Sequence, residues 1–365
     1  MKRVILAVTN DLVSDQRAHK VSTTLTKMGF QVILVGRRLK NSLPLQRDYT
    51  VKRFNLFFNK GPLFYAEYNI RLFFFLLFHS ASVITANDTD TLPATYLVSK
   101  IKRNALVYDA HEYFTGVPEL VNRKFIQSFW KIIEKIILPD VRNAMTVNHS
   151  IASIYEKEYG IKMKVVRNVP LGTLQENSSN WELIDKAGFL LYQGAVNVGR
   201  GLELMIDAVS LLDEVFVIAG DGDIIKDLQE KVSAMGLQEK VIFTGKLPLE
   251  KLAGLTKRAA IGISLEENLG INYYYALPNK IFDYINSGVP VLVSDLPEMS
   301  SLVEKYNVGL VLKKRTPAYL ANILKDMLND KNKRLMWYEN IDKAKLELCW
   351  EKEEQHVKDL YKPYL

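Results

Sequence analysis

The chain has a single cysteine, Cys349, among 365 residues. That excludes an internal disulfide framework and any cysteine-based zinc site, and it fits a reducing, cytoplasmic setting. Long hydrophobic runs are also missing. The most apolar segment, Leu72 to Phe78, falls far below the roughly 20 residues that span a bilayer, so it reads as a buried helix, with an aromatic surface that dips into a membrane as the alternative. The opening MKRVILAVTND has too short an apolar run for a signal peptide and no small-residue cleavage site, and reads as a first core strand. There is no GxSxG elbow and no HExxH pair, which removes the common hydrolase readings. No loop carries the three glycines of a dinucleotide fingerprint, which argues against an NAD-dependent dehydrogenase.

What is present is a hydrophobic content of 48% and a net charge of +7. A chain of this length and composition can bury two cores of ordinary size. The charge suits anionic ligands and is compatible with peripheral contact at the inner face of a membrane. Its lysines and arginines are scattered rather than interleaved with aromatics, which argues against nucleic acid as a partner.

Apolar runs at Val4 to Val8 and Val32 to Val35, with a helical pattern at about Arg17 to Met28 between them, open a parallel sheet. Further runs at Ser82 to Thr85, Ala105 to Tyr108, Ala144 to Val147 and Lys164 to Val166 alternate with helical segments. Arg167 to Asn180 is polar and carries Pro, Gly and Ser, as a linker does. The rhythm then resumes at Phe189 to Tyr192, Val215 to Ala219, Val241 to Phe243, Ile261 to Ser264, Val289 to Val293 and Gly309 to Leu312, followed by helices from about Ala318. The expected class is α/β, with doubly wound parallel sheets in residues 1–168 and 169–345 and a C-terminal helix, 346–365, that packs back on the first domain.

Ligands of such sheets lie outside the carboxyl ends of the strands. The segment PNKIFDYINSGVPVLVSD, from Pro278, starts a helix whose positive end can receive phosphate. Lys280 adds a charge there. Asn279, Lys280 and Asp283 share one helical face, where Asp283 could accept both hydroxyls of a ribose. Gly194 to Gly201 (GAVNVGRG) follows a strand, and its Arg200 could grip a diphosphate; a plain turn with a surface arginine is the alternative. In GDGD, Gly220 and Gly222 would let backbone come close to a ligand. Lys246 sits beside a phosphate or is simply solvated.

On the first domain, His111 and Glu112 follow a strand, and His111 could bond a sugar hydroxyl or be a satisfied structural residue. Asp88 lies in Asn87 to Asp90, where helix capping explains the carboxylates better than a metal does. Asn10, Asp11 and Asp15 follow the first strand and either contact an acceptor or cap the first helix.

The order of these elements resembles the retaining nucleotide-sugar glycosyltransferases of family four, the GT-B enzymes, over essentially the whole chain. SDQRAHKVSTTLTKMGFQVILVG is similar to the family's opening loop and helix, YDAHEYF to the strand end with its cleft histidine, and VRNVP to its hinge. GAVNVGRGLELMIDA, VIAGDGD, VIFTGKLP and PNKIFDYINSGVPVLVSD follow in family order, with most similarity to bacterial enzymes of cell-surface polysaccharide synthesis. The pattern departs where relatives carry two glutamates, since those positions hold Tyr275 and Asp283. The usual arginine is replaced by Ala195.

The resemblance implies two facing Rossmann-like domains that close about a hinge near Val169. It implies transfer of a sugar from a nucleotide-diphosphate sugar to a sugar or lipid-linked glycan acceptor, with retention and without metal or other cofactor. Arg200 and Lys280 would then stabilise the leaving diphosphate and His111 would contact the donor sugar. Gly194, Gly220, Gly222, Lys246, Asn279 and Asp283 would hold the donor, and Asn10, Asp11, Asp15, Asp88 and Glu112 would line the acceptor side. A nucleotide-sugar epimerase and a silent nucleotide-sugar-binding protein are the alternatives.

Overall fold

Strand-forming runs that are buried on both faces have to be covered by helices on both sides, which selects parallel sheets with helical crossovers. A computed structural model describes residues 2–117, 120, 123–172 and 188–365. Part of the expected linker, 173–180, lies outside the described residues. Two compact units are present, Met1–Asn168 with Trp350–Leu365, and Val169–Cys349.

The first unit carries strands β1 (Arg3–Asp11), β2 (Gln31–Arg37), β3 (Thr50–Phe54), β4 (Val83–Asn87), β5 (Ala105–Ala110), β6 (Asn143–Thr146) and β7 (Lys164–Val165). They pair in the order β3-β2-β1-β4-β5-β6-β7, with parallel register such as Leu6 opposite both Leu34 and Thr85. Its helices are α1 (Gln16–Lys27), α2 (Gly61–Phe78), α3 (Leu92–Lys102), α4 (Lys124–Ile137) and α5 (His149–Tyr159). The chain runs outward from β1 to β2 through α1, and in the opposite direction through the other four. Right-handed crossovers therefore put α1 on one face and α2 to α5 on the other. The C-terminal helix, Trp350–Tyr361, joins α1: Trp350 Nε1 donates to Thr24 Oγ1 at 3.0 Å, and the Tyr361 and Thr85 hydroxyls are 2.7 Å apart. Arg167, expected at the start of a linker, is instead tied to this helix, with its Nη2 2.6 Å from Glu353 Oε1.

The second unit carries β8 (Phe189–Gln193), β9 (Phe216–Ala219), β10 (Val241–Phe243), β11 (Ala259–Ser264), β12 (Val291–Ser294) and β13 (Gly309–Leu312), in the parallel order β10-β9-β8-β11-β12-β13. Its helices are α6 (Leu202–Val209), α7 (Ile225–Ala234), α8 (Leu249–Thr256), α9 (Ile271–Tyr274), α10 (Asn279–Asn286), α11 (Pro297–Tyr306), α12 (Pro317–Asn329) and α13 (Lys331–Glu347). Trp337 of α13 closes the core formed by Leu190, Phe216, Ile218 and Ile263 with α6 and α12. The expected doubly wound class and the return of the C-terminal helix to α1 are both present.

Three local expectations need correction. β3 was not foreseen, because an edge strand reading TVKRF buries only Phe54 and has no apolar run. Leu72 to Phe78 is helical but not buried throughout: Leu72 and Leu76 face the core, whereas Phe74 and Phe78 are exposed. Pro278 stands at the cap of α10, with φ −63° and ψ 137°, one residue before the first helical position. Gly288, at φ +81°, ends that helix as expected, and the following strand starts at Val291.

Candidate functional site

In an open parallel sheet, ligands sit where the strand order reverses, outside the carboxyl ends. The reversal falls between β8 and β11 in the second sheet and between β1 and β4 in the first. Both places collect residues singled out from the sequence.

In the second unit the organising residue is one that sequence reasoning missed. Glu266, two residues beyond β11, is fully buried. Its Oε2 accepts from Ser264 Oγ at 2.7 Å, and its Oε1 lies 2.9 Å from Lys280 Nζ and 3.6 Å from Arg200 Nη1. Burial works against the Glu266 charge, but Lys280 foremost, then Ser264 and Arg200, hold its carboxyl below the usual range. Lys280 Nζ also lies 3.9 Å from the centre of the Tyr192 ring, and the Arg200 guanidinium 5.0 Å from that of Tyr273. Two cations thus share one buried carboxylate, which leaves a positive charge in excess at the N-terminus of α10. The Arg200 Nε is buried and makes no hydrogen bond among the described residues.

Arg315, also not foreseen, fixes the loop that carries Glu266. Its Nη1 donates to Ser294 Oγ at 2.9 Å and its Nη2 to the Leu265 carbonyl at 3.1 Å. The signal for Glu266 was a buried-type strand, Ile261 to Ser264, followed at once by Glu266 and Glu267. Nothing local marks Arg315, which reaches the loop from beyond β13.

Gly194 has φ +129°, and a Cβ there would stand 3.6 Å from Lys280 Cε. Gly220 is glycine for a reason different from the one expected. A Cβ on it would lie 1.8 Å from the Gly194 carbonyl oxygen, and one on Gly222 would lie 2.4 Å from the Val196 carbonyl oxygen. The close approach is thus of one loop to another. Asp283 Oδ2 accepts from Gln193 Nε2 at 3.1 Å, and Gln193 Oε1 accepts from Thr256 Oγ1 at 2.7 Å, so a chain of side chains orients the carboxylate. Within α10, Lys280 is buried, Asp283 half-buried and Asn279 exposed. Lys246 is exposed beyond β10 and forms no ion pair among the described residues. Tyr275 ends α9 with its ring 4.8 Å from that of Tyr274.

In the first unit His111 follows β5 and is held between acids. Its Nδ1 lies 3.5 Å from Asp88 Oδ2, its Nε2 3.5 Å from Asp109 Oδ2 and 3.3 Å from Asn87 Oδ1. Burial opposes protonation, but Asp88 and Asp109 outweigh it and raise the imidazole to about 9. Asp109 is buried against Arg17, whose Nη2 is 2.6 Å from Oδ1; burial would raise that carboxyl, and Arg17 with His111 brings it down to about 2. Asp88 adopts φ +59° and takes the His111 backbone N–H on Oδ1 at 2.8 Å. Neither acid of the Asn87 to Asp90 segment caps a helix with its side chain as expected: Asp90 accepts from Thr9 Oγ1 at 2.6 Å. Of the early trio, Asp15 caps α1 through the Ala18 N–H and accepts from Asn10 Nδ2 at 3.1 Å. Asp11 takes the Val13 N–H and the Ser42 hydroxyl. Glu112 is half-buried beside His111. No group of three or more His, Cys, Asp or Glu among the described residues is arranged to hold a metal ion.

The chain matches the family model described as "Glycosyltransferase Family 4" over residues 16–173, and "Glycosyl transferases group 1" over residues 175–344. It is similar to the alpha-D-kanosaminyltransferase of Streptomyces kanamyceticus, 28% identical over 165 residues, which are 43% of this chain and 40% of that one. It is also similar to the GalNAc-alpha-(1->4)-GalNAc-alpha-(1->3)-diNAcBac-PP-undecaprenol alpha-1,4-N-acetyl-D-galactosaminyltransferase of Campylobacter jejuni, 24% identical over 251 residues, 67% of this chain and 65% of that one. The chain therefore spans less than two thirds of the length of these curated relatives. Among solved structures, Anabaena HepE in complex with UDP-glucose is similar in fold, with a TM-score of 0.76 over 100% of both chains at 15% identity. With the two family matches adjoining and the two parallel sheets in GT-B architecture, the chain belongs to glycosyltransferase family four.

Proposed function

We propose that the chain moves a sugar from a nucleotide-diphosphate sugar, bound by the second unit, to a sugar or lipid-linked glycan acceptor served by the first. Transfer proceeds with retention of configuration and without a divalent ion. The observation that carries this reading is the pairing of Arg200 and Lys280 on Glu266 beside Gly194, with the buried Arg200 Nε making no hydrogen bond among the described residues. Preoriented cations and a helix N-terminus are what a departing diphosphate requires.

In this reading Asp283 accepts the ribose hydroxyls, with Asn279 and Lys246 at the rim of the donor site. The bond between the anomeric carbon and the β-phosphate oxygen breaks. The acceptor oxygen bonds to that carbon on the same face, and its proton passes to the departing phosphate. His111, held charged at neutral pH by Asp88 and Asp109, contacts the donor sugar, while Asn10, Asp11, Asp15, Asp88 and Glu112 shape the acceptor side. The Campylobacter relative's name describes an undecaprenol-linked acceptor, which supports cell-surface glycan synthesis at the cytoplasmic side of a membrane.

The test is thermal stability against UDP, GDP, ADP and their sugar conjugates in EDTA, for wild type and Asp283→Ala. A ligand at 100 times its dissociation constant stabilises by about 2.7 kcal/mol. One nucleotide that stabilises wild type and not the variant supports the donor site. A response that requires Mg²⁺ overturns the metal-free reading, and no response to any nucleotide overturns the donor site itself.

A further inference from the structure

Two neighbouring helices of the first unit turn apolar side chains outward. On α4 the core positions are Trp130, Glu134 and Ile137. The far side of the same helix carries Phe125, Phe129, Ile132 and Ile136, which are 88%, 54%, 57% and 65% exposed. Their spacing of four, three and four residues makes a continuous stripe, so α4 is apolar on a face that it does not bury. α2 does the same. Phe64, Tyr68, Leu72 and Leu76 face the core, whereas Leu63, Ile70, Phe74 and Phe78 are exposed in an outward stripe. The two helices lie on the same face of the sheet, and the Tyr65 and Trp130 rings join them at 5.2 Å between centroids.

The charge around the stripes has one sign. α2, α3 and α4 carry six lysines and arginines against two acids, Glu67 and Glu134. Glu134 is buried, and Glu67 is paired with Arg71 at 2.7 Å. Lys124, Lys131 and Lys135 run along one flank of the α4 stripe, and none has an ion-pair partner among the described residues. An exposed apolar area of this extent marks an interaction surface, and phenylalanines beside unpaired lysines are the chemistry of helices that lie in a lipid headgroup layer. No helix among the described residues is long and apolar enough to cross a membrane. A second copy is a poorer occupant, since among the described residues α2, α3 and α4 offer no free acid to Lys124, Lys131 and Lys135: Glu67 is paired and Glu134 is buried.

We propose that the outward face of α2 and α4 docks the chain on the surface of an anionic phospholipid bilayer, with the phenylalanines in the headgroup layer and the α4 lysines against lipid phosphates. The proposal goes beyond the transfer reading, and its test uses no nucleotide sugar, so either can fail without the other. The experiment is co-sedimentation of the full chain with vesicles of equimolar phosphatidylglycerol and phosphatidylcholine, and with phosphatidylcholine alone. Wild type binds the anionic vesicles and not the neutral ones, and added salt weakens the binding. Lys131→Gln with Lys135→Gln lowers partitioning about 30-fold. Phe125→Ser with Phe129→Ser lowers it by roughly tenfold or more, with the melting temperature in solution unchanged because both rings are already exposed. Absence of vesicle binding, equal binding to neutral vesicles, or variants that bind like wild type would each overturn the proposal. A dimer in lipid-free buffer that Phe125→Ser with Phe129→Ser dissociates would assign the face to a second copy instead.

Discussion

Lys280 Nζ and Glu266 Oε1 form a buried ion pair 2.9 Å long at the N-terminus of α10, with Arg200 3.6 Å from the same oxygen. Glu266 therefore holds the two cations of the proposed diphosphate site at one point before any ligand arrives. Removal of one partner from a buried pair leaves an uncompensated charge, at a cost of about 3–5 kcal/mol. Glu266→Gln keeps the size and the hydrogen bond from Ser264 but removes that compensation, so the melting temperature falls. A nucleoside diphosphate supplies negative charge to the same cations, and its stabilising shift in the variant exceeds that in wild type. Thermal melts with and without UDP check both points; an unchanged melting temperature would show that Glu266 is not what balances Lys280.

His111 gives a pH dependence with a definite sign. Its pKa is raised to about 9 in the folded chain from 6.5. A raised value means that its contribution to stability is complete below pH 6.5 and is lost as pH rises through about 9. Wild type should lose stability over that window more steeply than His111→Gln, measured by urea midpoints from pH 6 to 9.5. Identical slopes would mean that the imidazole is not held charged by Asp88 and Asp109.

Elements whose residues are buried on both faces were legible in the sequence, because a run such as Val4 to Val8 can only be a central strand with helices on either side. The helical start at Asn279 and Lys280 was legible for a local reason, the Pro278 cap and the Gly288 stop. What could not be read depends on neighbours brought from afar. Glu266 acts through Lys280, fourteen positions on, and Arg315 reaches the Glu266 loop from the next strand but one. Gly220 resembled a ligand-facing glycine, yet its constraint is the Gly194 carbonyl. The outward stripe of α2 was hidden because Leu72 to Phe78 is apolar at every position, so no periodicity distinguishes its buried face from its exposed one.

The buried Arg17 and Asp109 pair anchors α1 to the end of β5, directly beneath His111. Asp109→Asn should destabilise the fold by about 3–5 kcal/mol, because Arg17 is itself buried and loses the carboxylate that balances its charge. The same change removes one of the three acids that raise His111, Asp88, Asp109 and Asp15, so the imidazole pKa should fall toward 6.5. Asp109 also has a window of its own: its depressed pKa, about 2 against 3.8, gives stability that is present above pH 3.8 and lost as pH falls through 2. Denaturant midpoints give the first effect, and NMR titration of the His111 ring gives the second. A His111 pKa that stays near 9 in the variant would assign the shift to Asp88 and Asp15.

Gly220→Ala tests whether the loops after β8 and β9 hold the proposed donor site through their mutual contact. A methyl group there would sit 1.8 Å from the Gly194 carbonyl oxygen and 2.9 Å from its carbonyl carbon, with backbone on both sides of the clash. No side chain can rotate away, so one loop has to move, at about 1–3 kcal/mol. Gly194 borders Lys280, so that movement also shifts the wall beside the two cations. The variant should therefore lose both melting temperature and UDP-induced stabilisation. Gly236→Ala is the control, because Gly236 ends α7 at φ +67° with nothing within 4 Å of a Cβ. It should lower the melting temperature through backbone strain and leave the UDP shift intact. Equal UDP shifts in the two variants would separate the Gly194 and Gly220 contact from nucleotide binding.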